Sequence, residues 1–365
     1  MPDRIKYGIV GVKGVGSLHV KAIEALGRAE LTAVADVDAA AGQAVALASG
    51  CKFFEDPREM FRSGGLDAAS ICTPHPSHAD LSIDALACGL HVLVEKPIAA
   101  SVLEADRMAA AARAAGRKLG VVFQRRWDAL VVRALGLMQA HRLGDVLRVS
   151  LTATALRTMA YYRAASWRGT WAGEGGGAVL NQGSHDLDLY QLLAGMPRSL
   201  FARCETRLHA IEVEDSAAAV AVHPDGSLGT IQINTIEAPG RFSLEIAGDR
   251  GTLLLDRDRL TLFEHGTPVR EFARTSKDWW SSPESIATHH ERPADGTGDG
   301  THLRAISAFV DAILADGPPP VDAEQAIRSL ELSNAMRLSS ALGRPVTLPL
   351  DREAYRTFLE RESAR

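Results

Sequence analysis

The sequence predicts an α/β chain in two parts. A doubly wound parallel sheet spans residues 1–124, and an α/β part built on a large, mostly antiparallel open sheet spans 125–365. Three observations predict it. The first third alternates short apolar runs with helix-like stretches, the pattern of βαβ units. Glycines crowd the point where the first run gives way to the first helix. Beyond Gln124 the apolar period shortens to two, with turn residues between segments.

The runs Ile5–Val10, Leu31–Ala35, Ala68–Cys72, His91–Val94 and Leu119–Phe123 are continuous and apolar, as strands buried on both faces must be. Helix-like stretches near Ser17–Leu26, Ala39–Ala48, Ser77–Ala87 and Ser101–Ala115 separate them. Ser77 and Ser101 suit N-caps, and Gly89 and Gly116 suit stops. A helix over Asp128–His141 leads into alternating segments at Val146–Ala155, Ser199–Arg207, Ala217–His223, Leu228–Thr235, Ser243–Ala247 and Thr252–Leu255. Pro224-Asp225-Gly226 turns two of these into a hairpin. The stretch Arg274–Gly300 is polar and without period and is expected as a long loop. Helices over His302–Ala315 and Ala323–Leu342 close the chain.

Composition excludes several classes. Apolar residues make up 46% and charged residues 23%, and the 40 basic against 45 acidic residues leave a net charge of −5 without long runs of one sign. That is not the basic footprint of a nucleic-acid binder. The four cysteines (Cys51, Cys72, Cys88 and Cys204) lack metal-ligand spacing, and no metal is expected; His289-His290 has no accompanying ligand set. Met1–Lys6 is short and polar, and no run is long enough to span a bilayer, so no membrane partner and a cytoplasmic location are expected.

Four clusters carry chemistry. Gly11-Val12-Lys13-Gly14-Val15-Gly16 lets backbone approach a pyrophosphate at a helix N-terminus. Lys13 replaces the middle glycine, either to face a phosphate or to displace the cofactor slightly. Asp36 stands twenty residues after Gly16, where a carboxylate accepts ribose hydroxyls and repels a 2′-phosphate, favouring NAD over NADP. Thr73-Pro74-His75-Pro76-Ser77-His78 forms a proline-bounded loop at a strand end, suited to lining the nicotinamide ribose. Glu95-Lys96-Pro97 ends the His91–Val94 strand, and burial beside other charges lowers an ammonium pKa enough for a share in proton transfer. In the second part, Gly175-Gly176-Gly177 precedes Asn181 and His185. A neutral histidine near a bound alcohol is a natural general base, and Asn181 shares its face if the helix starts early. Tyr161, Tyr162, Trp167 and Trp171 offer platforms for a sugar ring or fill a core. Trp279-Trp280 need a partner surface.

Together these pieces resemble the glucose–fructose oxidoreductase and inositol dehydrogenase family, Gfo/Idh/MocA, over essentially the whole chain. The likeness rests on Gly11–Gly16, Thr73-Pro74, Glu95-Lys96-Pro97, Gly175–Gly177 and His185 with Asp188, and on the closing His302…Phe309 helix and the Gly343-Arg344-Pro345-Val346 turn. It implies a Rossmann dinucleotide-binding domain, NAD as cofactor, and an open sheet that often forms subunit contacts, hence a homodimer or homotetramer. NAD would lie along Gly11, Lys13, Gly14, Val15, Gly16, Asp36, Thr73, Pro74, His75, His78, Glu95, Lys96, Pro97 and Gln124. The likeness makes Lys96 and His185 the catalytic pair. Many members carry aspartate where Asn181 stands, so the Asp–His relay of the family's inositol dehydrogenases is not intact here.

The expected activity is NAD-dependent hydride transfer from a secondary hydroxyl of a sugar, anhydrosugar or inositol-like polyol. Lys96, Tyr162, Trp167, Arg168, Asn181 and His185 are the expected substrate contacts. Rival readings are an NADPH-dependent reductase, an oxidation-assisted glycosidase, and a non-catalytic sensor of nucleotide or sugar.

Overall fold

The computed structural model describes residues 4–292 and 299–364. Six parallel strands form the first sheet: β1 (Ile5–Val10), β2 (Ala29–Ala35), β3 (Lys52–Phe54), β4 (Ala68–Ile71), β5 (His91–Glu95) and β6 (Leu119–Val122), in the spatial order β3-β2-β1-β4-β5-β6. The order reverses between β1 and β4, which opens a ligand crevice at their carboxyl ends. β3 and the short helix Pro57–Arg62 were not foreseen. β3 has three residues, none fully buried, too few for a periodic signal.

Both faces of a parallel sheet need cover. Helix Val15–Ala25 packs on one face with Ile306, Phe309 and Val310 of helix Asp299–Leu314. The other face takes helices His78–Ala87 and Val102–Ala115 and the start of helix Ala323–Leu342. The last of these runs on into the second core through Leu332, Ala335 and Met336. The Ala323–Leu342 helix therefore braces the two sheets against each other.

The second sheet has nine strands: β7 (Val146–Leu156), β8 (Ser199–Glu205), β9 (Ser216–Val222), β10 (Leu228–Asn234), β11 (Ile236–Gly248), β12 (Gly251–Asp256), β13 (Arg259–His265), β14 (Ser285–Glu291) and β15 (Val346–Thr347). Their order is β14-β13-β12-β11-β7-β10-β9-β8-β15, antiparallel throughout except for β7 beside β10. The Pro224–Gly226 turn does join β9 to β10.

Arg274–Gly300 is not one long loop. Ser285–Glu291 pairs with β13 as an edge strand, and a helix starts at Asp299. β14 is almost wholly exposed, so its sequence lacks the buried alternation that marks a strand. His289 there bonds Thr261 Oγ1. A further helix, Arg352–Ser363, follows the two expected at the end, capped by Asp351. Trp279 and Trp280 are exposed. Among the described residues no helix is long and apolar enough to cross a membrane.

Candidate active site

The cofactor cleft begins where β1 ends. A Cβ on Gly16 would lie 1.8 Å from the Gly11 carbonyl oxygen, so only glycine lets the helix start this close to the strand. Gly14, at φ 54°, has open space beside it, and the helix it opens has no side-chain cap. The positive helix end, with no side chain capping it, therefore faces an open mouth, as a pyrophosphate requires. Asp36 is buried at the end of β2, its two oxygens accepting the Val12 and Asp38 amides at 2.9 Å each. Lys13 does not reach into the mouth: its Nζ pairs with Asp38 Oδ2 at 2.8 Å on the surface. Gln124, just after β6, keeps a buried Oε1 without a hydrogen-bond partner among the described residues. These residues fit a dinucleotide.

Buried polar groups set the next edge. Tyr7, Ser70, His19 and Glu95 form a chain of contacts at 3.0, 2.8 and 3.0 Å. Burial alone would raise the Glu95 carboxyl, but the His19 hydrogen bond and charge outweigh it and hold it low. His78 lies between the Pro97 and Thr73 carbonyls at 2.9 and 2.8 Å and so ties together the two loops that flank the cleft. Burial pulls His78 below the usual histidine range, against the two carbonyls, which favour the charged form. His75 is buried with Nδ1 3.1 Å from the Glu174 carbonyl, joining the first sheet's loop to the second part.

Lys96 leaves β5 and points across the crevice. Its Nζ donates to the Asn181 carbonyl at 3.0 Å and lies 3.4 Å from Asn181 Oδ1. Burial pulls its ammonium below the lysine range against the carboxylates of Glu95, Glu174 and Asp186, and the Arg168 charge pushes the same way as burial. Asn181 sits in a π-helical turn, Ala178–Gln182, and His185 in the following helix, Ser184–Ala194. Burial, then the Lys96 and Arg125 charges, hold the His185 imidazole well below its ordinary range. It is neutral, and its Nδ1 has no hydrogen-bond partner among the described residues. A neutral imidazole beside an ammonium can take a proton while the cation stabilises an oxyanion.

The three glycines explain how the turn is seated. Cβ atoms there would meet Ala100 at 2.7 Å, Arg337 at 1.8 Å and the Glu214 carbonyl at 2.0 Å, so the run threads between the first part, the closing helix and the second sheet.

Glu174 is the residue sequence reading missed. Its carboxylate is buried, accepting the Gly169 amide at 2.7 Å and Asn181 Nδ2 at 2.5 Å. Burial raises its pKa despite those two bonds. Nothing in its sequence position before a glycine run distinguished it from a surface acid. Tyr161, not Tyr162, joins the cluster: its hydroxyl accepts from Gln182 Nε2 at 2.7 Å and Asn181 Nδ2 at 3.3 Å. Tyr162 is buried with its hydroxyl on Thr235, because neighbours in a helix point about 100° apart. Trp167 lies beside His75 and Arg168, whereas Trp171 packs on Phe358, away from Lys96. Asp188 binds Arg126 through two hydrogen bonds of 2.8 and 2.6 Å and is structural.

Residues 5–123 match the oxidoreductase family with an NAD-binding Rossmann fold, and residues 131–254 match the Gfo/Idh/MocA C-terminal domain. An inositol 2-dehydrogenase of Rubrobacter xylanophilus is 30% identical, over 69% of this chain and 71% of that protein. The WlbA dehydrogenase of Bordetella pertussis, solved with NADH and UDP-GlcNAcA, superposes with a TM-score of 0.81 at 30% identity, covering 95% of this chain and all of that one. Levoglucosan dehydrogenase, solved with NADH and levoglucosan, shares the fold with a TM-score of 0.82 at 20% identity, covering 95% of this chain and 100% of that one. Fold, cleft and likeness together define an NAD-binding oxidoreductase. The chain belongs to the Gfo/Idh/MocA family.

Proposed function

We propose that the chain oxidises a secondary hydroxyl of a sugar, anhydrosugar or inositol-like polyol with NAD. The observation that carries this reading is the Lys96 ammonium, hydrogen-bonded to Asn181 across the crevice and bearing electrostatically on a neutral His185. NAD supplies the hydride acceptor when bound. His185 takes the hydroxyl proton, Lys96 stabilises the developing alkoxide, and Asn181, held by Glu174, fixes where Lys96 points. Residues 1–124 hold the cofactor, and 125–365 supply His185, Asn181 and the substrate wall. The inositol and nucleotide-sugar dehydrogenases among the relatives support a polyol or sugar substrate.

The test is NAD reduction across a panel of sugars and inositols, with NADH binding measured by fluorescence. Lys96→Ala and His185→Ala should each lower kcat by roughly 10²- to 10⁴-fold with NADH affinity little changed. NADH binding without reduction of NAD by any member of the panel would favour a non-catalytic sensor. We also infer a homo-oligomer through the second sheet, whose outer face leaves Phe201, Val220 and Leu228 exposed. A monomer in light scattering at micromolar concentration would overturn that assembly.

A further inference from the structure

We propose that the substrate carries a carboxylate, and that Arg168 is the residue that recognises it. This rests on the dehydrogenase reading of the same site and narrows it to acidic sugars.

The arginines around the crevice are otherwise engaged. Arg125 pairs with Asp186, Arg126 with Asp188, and Arg157 donates to Gln182 at 3.1 Å. Arg168 has no carboxylate or carbonyl partner among the described residues, and its Nε is buried without a hydrogen bond. Its guanidinium carbon lies 4.1 Å from the centre of the Tyr161 ring and 4.5 Å from that of Trp167. Two aromatic rings strip water from a cation and fix its plane, but they accept no N–H in that plane. The in-plane donors are unspent.

Their position is that of a substrate contact. Tyr161 is itself bonded to Asn181 and Gln182, so the stacked guanidinium stands beside the residue that holds Lys96. The charge of Arg168 bears on Lys96, His75 and Glu174, which surround the crevice. Glu174 bears on that charge only at a distance, makes no ion pair with it among the described residues, and spends its hydrogen bonds on Gly169 and Asn181. An oriented planar fork with free donors, next to the half-buried Lys96 ammonium, matches a carboxylate by two parallel hydrogen bonds. A neutral sugar hydroxyl takes one N–H and leaves the charge of Arg168 uncompensated.

The test uses matched pairs: D-glucuronate with D-glucose, D-galacturonate with D-galactose, the corresponding UDP-linked pairs, and glucose 6-phosphate as the tetrahedral anion. NAD reduction and calorimetric binding to the NADH complex are both read. The expected result is a preference of roughly 100-fold or more in kcat/KM for an acid over its neutral partner. The free and UDP-linked arms show which form carries the acid. Arg168→Gln should remove most of that preference through KM, with kcat and NADH affinity nearly unchanged. Arg168→Lys, which keeps the charge and loses the fork, should recover only part. Oxidation of a neutral sugar as fast as its acid overturns the proposal and leaves the dehydrogenase standing. Arg168-dependent binding of an acid without NAD reduction supports the carboxylate contact and overturns the dehydrogenase. Tighter binding of glucose 6-phosphate than of any acid, or no acid bound at all, overturns the contact.

Discussion

Asp188→Ala should cost this protein stability out of proportion to its size, and the structure gives the amount. The Asp188 carboxylate is buried, accepting from Arg126 Nε at 2.8 Å, from Arg126 Nη2 at 2.6 Å and from Gln191 Nε2 at 3.0 Å. Arg126 lies in the turn just after β6 and Asp188 in the helix that carries His185, so the pair fastens the end of the first sheet's last strand to that helix. Arg126 also donates to Gln325 of the closing helix at 2.5 Å. Removing the carboxylate strands a guanidinium that is only 10% exposed. Breaking a buried pair in this way costs about 3–5 kcal/mol, and the bond to Gln325 puts the expectation at the lower end. With an unfolding entropy of roughly 2.1 cal/mol/K per residue, a chain this long should lose about 4–6 °C in Tm. The assay is thermal unfolding followed by circular dichroism, with NADH binding measured below the transition. Because the stranded charge is what costs, Asp188→Ala with Arg126→Met should melt closer to wild type than Asp188→Ala alone. A drop below about 1 °C, or a double variant that simply adds the two losses, would refute the reasoning.

Three further outcomes are expected. With both Asp36 oxygens fixed by backbone amides, NAD should be preferred to NADP in kcat/KM, and Asp36→Ser should relax the preference mainly by weakening NAD; an NADP preference in the wild type would refute the assignment. Glu174 has a raised pKa, so the folded chain holds more protons than the unfolded one between the two values, and the stability this group lends falls as pH rises through that interval. The Tm gap between wild type and Glu174→Gln should therefore be wider near pH 5 than near pH 8, and an equal gap would mean the carboxyl is not perturbed. Asn181→Asp sets a second acid against Glu174 at a contact of 2.5 Å, where one of the two must keep a proton, so it should destabilise; adding Glu174→Gln should restore a single shared hydrogen bond and most of the Tm, and purely additive losses would speak against the contact.

What was legible in the sequence depended on whether a residue's job is local. Gly11, Gly14 and Gly16 are required by a strand-to-helix turn a few residues long, and Lys96 by the end of a buried strand. Both constraints act on neighbours in the chain, so both sheets and the place of Lys96 at a strand end followed from pattern, whereas the Lys96–Asn181 contact appeared only in the structure. The expected face-sharing of Asn181 with His185 on an early-starting helix gave way to a π-helical turn that ends before Ser184, because the three glycines thread between distant elements that spacing does not reveal. Lys13 fell short of the phosphate mouth for a related reason: Asp38, across the turn on the second strand's loop, offers it a partner at 2.8 Å.

Arg168 was among the expected substrate contacts and Tyr161 among the candidate platforms, but what surrounds them, and the place of Glu174, are relational and were harder to see. Glu174 counts as a buried acid only once Gly169 and Asn181 are folded around it, and Arg168 is distinctive for what it lacks, a partner among the described residues. Sequence spacing identifies residues that the backbone needs. What residues such as Glu174 and Arg168 touch shows up only when the hydrogen bonds around them are accounted for. In this crevice the donors left over belong to the Arg168 guanidinium, and it is on them that the proposed carboxylate contact rests.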